Sequence, residues 1–200
     1  MATKASRRKK AIRRHAIFAI GEIEVAQAFL QQARHFLRNE YLPKLEKCLN
    51  TLTDEQVWWR SNPESNSIGN LCLHLAGNAR QWIVSGLGGE IDARARQHEF
   101  DERATIPRSE LLSSLRETLD DVDTVLAKFE IERCLEQYEI QGTSVTALAA
   151  IFHVTEHFSM HTGQIILLTK MLSQRDLGFY DFSTGAPVRS WLDKDASSNR

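Results

Sequence analysis

Apolar residues recur at three- and four-residue steps through most of the chain, the spacing of helices that each bury one face. From about residue 17 to 50, Ile23, Phe29, Leu30, Leu37, Leu45 and Leu49 trace one such stripe. Pro43 lies inside it and should kink the helix or split off its last two turns. Leu71, Leu75, Ala79 and Trp82 predict a second helix from about Ile68 to Gly86, capped by Asn66 or Ser67 and stopped by Gly86, Gly88 and Gly89. A third helix starts near Pro107 and carries Leu111, Leu115, Leu119, Val122 and Phe129. The fourth begins at Thr143 or Ser144 and runs to about Ser173. No convincing strand run interrupts this pattern, so the expected fold is all-α, an antiparallel four-helix bundle.

The connections carry their own signals. Thr53-Asp-Glu-Gln56 has capping-box character and starts a short helical turn bearing Trp58 and Trp59. One of these indoles is expected to pack and the other to line a cleft or cover a bundle end. Residues 88–106 form a charged link long enough to be functional or to cross over something. Arg94 and Arg96 within it read as surface solvation, with an anion-holding role as the alternative. Residues 131–142 are ambiguous, although 137–142 look extended and end in a turn. Residues 176–182 are too aromatic to float free and should fold back on the bundle.

Charge adds one asymmetry. Residues 1–14 hold seven Lys or Arg and no acid, leaving the rest of the chain at net −8. This is read as a solvated basic arm over residues 1–16, ahead of a bundle over 17–182 and a tail over 183–200 whose last residues, from Asp195, look disordered. Nucleic-acid binding through the arm is the alternative. No apolar run of transmembrane length exists, so no membrane partner is expected. Cys48, Cys72 and Cys134 are odd in number and widely spaced, which points to a reducing, cytoplasmic setting and to buried packing roles.

His153, His157 and His161 are spaced four apart within the fourth helix. Successive members lie roughly 6 Å apart along the axis and the outer two about 12 Å, so one ion can take two neighbours but not all three. At about 100° per residue, His157 and His161 straddle the core-facing side while His153 falls at its edge. Thus His157 and His161 form the candidate pair and His153 a rim residue. His74 is the remaining histidine within a strong apolar helix, with Asn78 one turn on to orient it or a water. Glu156 points about 100° away from His157 and is not cast as a base. Gln164 stays on the site's side. Three imidazoles with open positions describe a catalytic metal site, and zinc, nickel, iron and manganese all accept such a set.

Glu156-His157-Phe-Ser-Met-His161-Thr-Gly163-Gln164 resembles the fourth-helix signature of the DinB-like superfamily, and Asn66-Ser-Ile-Gly69-Asn-Leu-Cys-Leu-His74-Leu-Ala-Gly77-Asn78 is similar to its second-helix motif. The tail Asp176-Leu-Gly-Phe-Tyr180 is similar to an uncharacterised branch. The resemblance covers about residues 20 to 182. It implies a four-helix bundle with a long crossover connection, a divalent metal on His74, His157 and His161, and homodimers. It further implies a thiol S-transferase acting with a low-molecular-weight thiol on an electrophile. A metal-dependent hydrolase and a non-catalytic metal-binding stress-response protein are the alternatives.

Overall fold

The computed structural model describes residues 21–183 and 185–190. The basic arm and the tail beyond residue 190 lie outside the described residues, as do the expectations placed on them.

Helix α1 comprises residues 21–35, a π-helical turn at Phe36–Tyr41 and an α-helical segment Leu42–Thr51. The π turn immediately precedes Pro43. In it the Leu42 N–H bonds Leu37 O, five residues back, and the wider turn accommodates a ring that cannot donate. Helix α2 (Asp54–Val57) is short, and its capping box between Thr53 and Gln56 is complete. Helix α3 (Ile68–Ala79) starts on Ser67 and continues through a second π turn, Arg80–Ser85, to Gly86. Helix α4 (Arg96–Asp101) lies in the charged link, and α5 (Arg108–Lys128) follows Pro107.

One expectation about the fourth long helix, its starting point, is corrected. Strands β1 (Gln137–Ile140) and β2 (Thr143–Thr146) pair antiparallel across Gln141-Gly142, both at positive φ. Thr143 and Ser144 are therefore used by the hairpin, and Thr146 caps α6 (Ala147–Ser173) through its hydroxyl and the Ala149 N–H. A short pair, β3 (Tyr180–Asp181) with β4 (Val188–Arg189), follows. Leu177 is buried, so this segment does return to the bundle.

Cross-helix contacts give the direction of each rod. Arg34 pairs with Asp123 and Glu46 with Arg116, so α1 and α5 run opposite ways. His74 meets His157 and Asn78 meets His153, so α3 and α6 also run opposite ways. Arg80 reaches Asp121 while Gly88, further on, approaches Val125, so α3 and α5 run the same way. Two helices consecutive in the bundle but parallel require a connection that travels back along it, and residues 86–107 are that crossover. The core fills from all four rods, with Leu37, Leu45, Leu75, Ile83, Leu115, Ile151 and Phe158 at most 1% exposed. The three cysteines are buried and free.

Candidate metal centre

Capping fixes where α3 begins and, through one side chain, where the crossover lies. Asn70 completes the box with Ser67 and is fully buried. Its amide then donates to Glu99 O at 2.7 Å and to Glu102 O at 3.2 Å, tying α4 to the first turn of α3. Trp58 packs against the same turn: a Cβ at Gly69 would lie 2.7 Å from its ring, and its indole donates to Ile106 O at 2.8 Å. Trp59 is 41% exposed and lines a cleft, so the two indoles divide as expected.

One turn further along, His74 meets α6. Its Nε2 lies 3.0 Å from Nε2 of His157, which lies 3.1 Å from Nε2 of His161. Suitable ligand atoms of all three lie within 4.8 Å of one another. The three predicted residues are thus together, with His157 buried more deeply (8% exposed) than the half-buried His161. His153 stands apart. Its Nε2 bonds the Asn78 amide at 3.1 Å and its ring lies 4.2 Å from that of Trp82. Asn78 therefore orients His153, not His74 as expected.

The outer nitrogens decide the tautomers. Nδ1 of His74 lies 2.9 Å from Glu99 Oε2 and 3.1 Å from Arg94 Nη2. Arg94 Nη2 already donates to Glu99 Oε2 at 2.8 Å, so the acceptor-only carboxylate takes the His74 Nδ1–H. Nδ1–H of His161 donates to Gln164 Oε1 at 2.7 Å. Each bond leaves a bare Nε2 lone pair facing His157. His157 Nε2 can offer at most one proton to two acceptors, so hydrogen bonding alone cannot satisfy the cluster. A cation can. Its Nδ1 is buried without a partner among the described residues. Burial first, then the neighbouring His161 and His74, pushes the His157 pKa down to about 3. Burial also lowers those of His161 and His153, Gln164 partly offsetting it at His161. Neutral imidazole is the form a metal needs.

Glu99 and Arg94 were the residues hidden in the sequence. Arg94 is not surface solvation: its side chain is 5% exposed and forks onto Glu99 at 2.7 and 2.8 Å, with Gln81 Oε1 at 2.8 Å. Burial raises the Glu99 pKa, but hydrogen bonds from Arg94 and His74 outweigh it and hold the carboxyl below its usual range. Gly77 makes room for this pair, since a Cβ there would lie 2.0 Å from Glu99 Oε1. Phe100 covers His74 at 4.7 Å between ring centres, and exposed Arg96 stacks on Phe100 at 4.8 Å. The available signals were the length of the charged link and the Ser67–Asn70 spacing. Neither singles out Glu99.

Residues 24–185 match the family described as Protein of unknown function (DUF1572). The chain belongs to that family. Its fold is also shared with solved structures. A conserved protein from Enterococcus faecalis is 15% identical with a TM-score of 0.63, over 72% of this chain and 97% of that one. A DinB-like protein from Bacillus cereus is 18% identical with a TM-score of 0.57, over 73% and 91%. No curated protein matches. The DUF1572 chain is therefore DinB-like in fold, as its two histidine motifs suggested. Among its described residues, no helix is long and apolar enough to cross a membrane.

Proposed function

We propose that this chain is a metal-dependent enzyme that holds one divalent ion on His74, His157 and His161 and transfers a thiol to a small electrophile. The observation that carries the metal reading is the convergence of three Nε2 atoms on a space where one proton must serve two lone pairs. Zinc, nickel, iron and manganese all suit three imidazoles. A bound divalent ion supplies Lewis acidity, which lowers the pKa of a coordinated thiol or water.

The chain's own residues hold the ligands and shape the approach. Glu99 and Gln164 fix the outer two imidazoles, and Phe100 screens His74 from water. A cleft of about 350 Å³ opens beside His161 between Trp59, Leu71 and Leu168, with Ser61 and Ser65 at its polar end. Such a cleft suits a small, largely apolar electrophile. Glu99 is the one carboxylate touching the triad among the described residues, and it is committed to Arg94. Glu156 is exposed. The lack of a free base there favours a thiol, which ionises readily, over a water that needs help losing its proton.

Elemental analysis of purified protein beside His157→Ala tests the site, with about one equivalent expected in the parent and a large loss in the variant. Equal metal in both sinks the assignment. A scan of low-molecular-weight thiols against alkyl and aryl electrophiles tests the reaction. Turnover without added thiol would replace the transferase reading with a hydrolase.

A further inference from the structure

We propose that the cleft beside His161 takes a neutral, flat aromatic electrophile that stacks on Trp59 and accepts a hydrogen bond from Ser65. This rests on the transferase reading and deepens it by naming the chemical class of the electrophile.

Trp58 and Trp59 follow directly on α2 and, as neighbours, face different ways. Trp58 is tied inward, its indole on Ile106 O at 2.8 Å. Trp59 is left 41% exposed at the cleft, with no ring or hydrogen-bond partner for its side chain among the described residues. An open indole on a concave surface offers a rigid π-face, and stacking on it favours flat rings over saturated ones. Buried Leu71 and half-buried Leu168 supply further apolar wall. An apolar cavity of about 150 Å³ holds benzene, so the 350 Å³ here admits one substituted ring and part of a thiol.

No carboxylate, lysine or arginine is among the described residues that line the cleft. Arg60, beside Trp59, is committed to Asn70 Oδ1 and Glu102 O. A charged ligand would lose hydration there without meeting a counter-charge.

Ser61 and Ser65 give the site its one directional contact. Asn62 Oδ1 accepts the Glu64 N–H at 3.0 Å, which turns the Asn62 amide nitrogen toward Ser61 Oγ at 3.3 Å. Ser61 Oγ lies 2.8 Å from Ser65 Oγ. That contact uses one of two hydroxyl protons, and the other has no acceptor among the described residues. The Asn62 amide polarises Ser61 as the donor, which leaves the spare proton on Ser65, the less exposed of the two. A nitro or carbonyl oxygen on the ring answers it. Such groups also withdraw electrons and open an arene to thiolate attack, so the recognised group is the activating one. With an aryl halide, the thiol sulfur bonds the ring carbon, the halide leaves with its bonding pair, and the thiol proton passes to solvent.

Calorimetric titration of the full chain with nitrobenzene, toluene, cyclohexane and benzoate, without thiol, tests this. Nitrobenzene should bind best and toluene next, with cyclohexane and benzoate roughly tenfold weaker than nitrobenzene. Trp59→Leu keeps the wall apolar and should weaken nitrobenzene and toluene alike, roughly three- to tenfold. Ser65→Ala should weaken nitrobenzene by a similar factor and leave toluene unchanged. Cyclohexane or benzoate binding as well as nitrobenzene, or either variant matching the parent toward nitrobenzene, would overturn the aromatic assignment. Selective aromatic binding with no thiol transfer to a nitroaryl halide would strike the transferase reading and leave the aromatic site standing. Transfer to alkyl halides with no aromatic preference would do the reverse.

Discussion

The carboxylate of Glu99 sits 2.9 Å from Nδ1 of His74, on a separate helix and 25 positions along the chain. A carboxylate behind a ligating imidazole fixes its tautomer and raises its basicity, and removing such a partner typically costs 10–100-fold in metal affinity. Glu99→Gln should lower metal affinity roughly tenfold, measured by competition with a chromophoric chelator. Unchanged affinity would mean that Glu99 serves only to neutralise Arg94.

Gly77→Ala offers a separate route to the same carboxylate. In an open helix interior this change stabilises by about 1 kcal/mol. Here the new methyl occupies the place of Glu99 Oε1. Metal affinity and melting temperature should both fall. A rise in melting temperature with full metal affinity would show that Glu99 moves aside without consequence.

Asn70 holds the crossover by its backbone. Asn70→Ala removes the bonds to Glu99 O and Glu102 O, the latter keeping Arg60 and Arg103 as donors, and breaks the capping box with Ser67, costing about 1–3 kcal/mol. Because Glu99 rides on that backbone, metal affinity should drop too. Denaturant unfolding and chelator competition on the same sample read the two effects.

The depressed pKa of His157 sets a pH dependence with a definite sign. Below about 6.5 the unfolded chain takes up a proton that the folded chain refuses until about pH 3. The stability that His157 contributes is complete above that upper value and is lost as pH falls through the interval. The melting temperature of chelator-treated protein should therefore decline from pH 7 to pH 4.5, less steeply in His157→Phe. Parallel curves for the two proteins would contradict this origin.

The long helices were legible because a 3.6-residue apolar period leaves little choice of face. The same geometry separated His157 and His161 from His153, and the structure places that pair beside His74. The start of α6 was misplaced by a few residues because Thr143, Ser144 and Thr146 are all plausible caps. What excluded the first two was pairing with residues 137–140, a tertiary fact. Arg94 and Glu99 were missed for a related reason. Charged residues in a loop look alike until a fold buries some of them, and their burial depends on Gly77 and Asn70 in another element.

Since α3 and α5 point the same way, the chain between them has to travel back over a helix of roughly 27 Å. That return passes His74 whether or not anything useful is carried on it. The transit delivers a carboxylate, a guanidinium and an aromatic ring to one imidazole from an excursion that the topology demands anyway. Any change in the length of residues 86–107 alters the timing of that delivery, so the connection that looks freest to vary is geared to the metal centre.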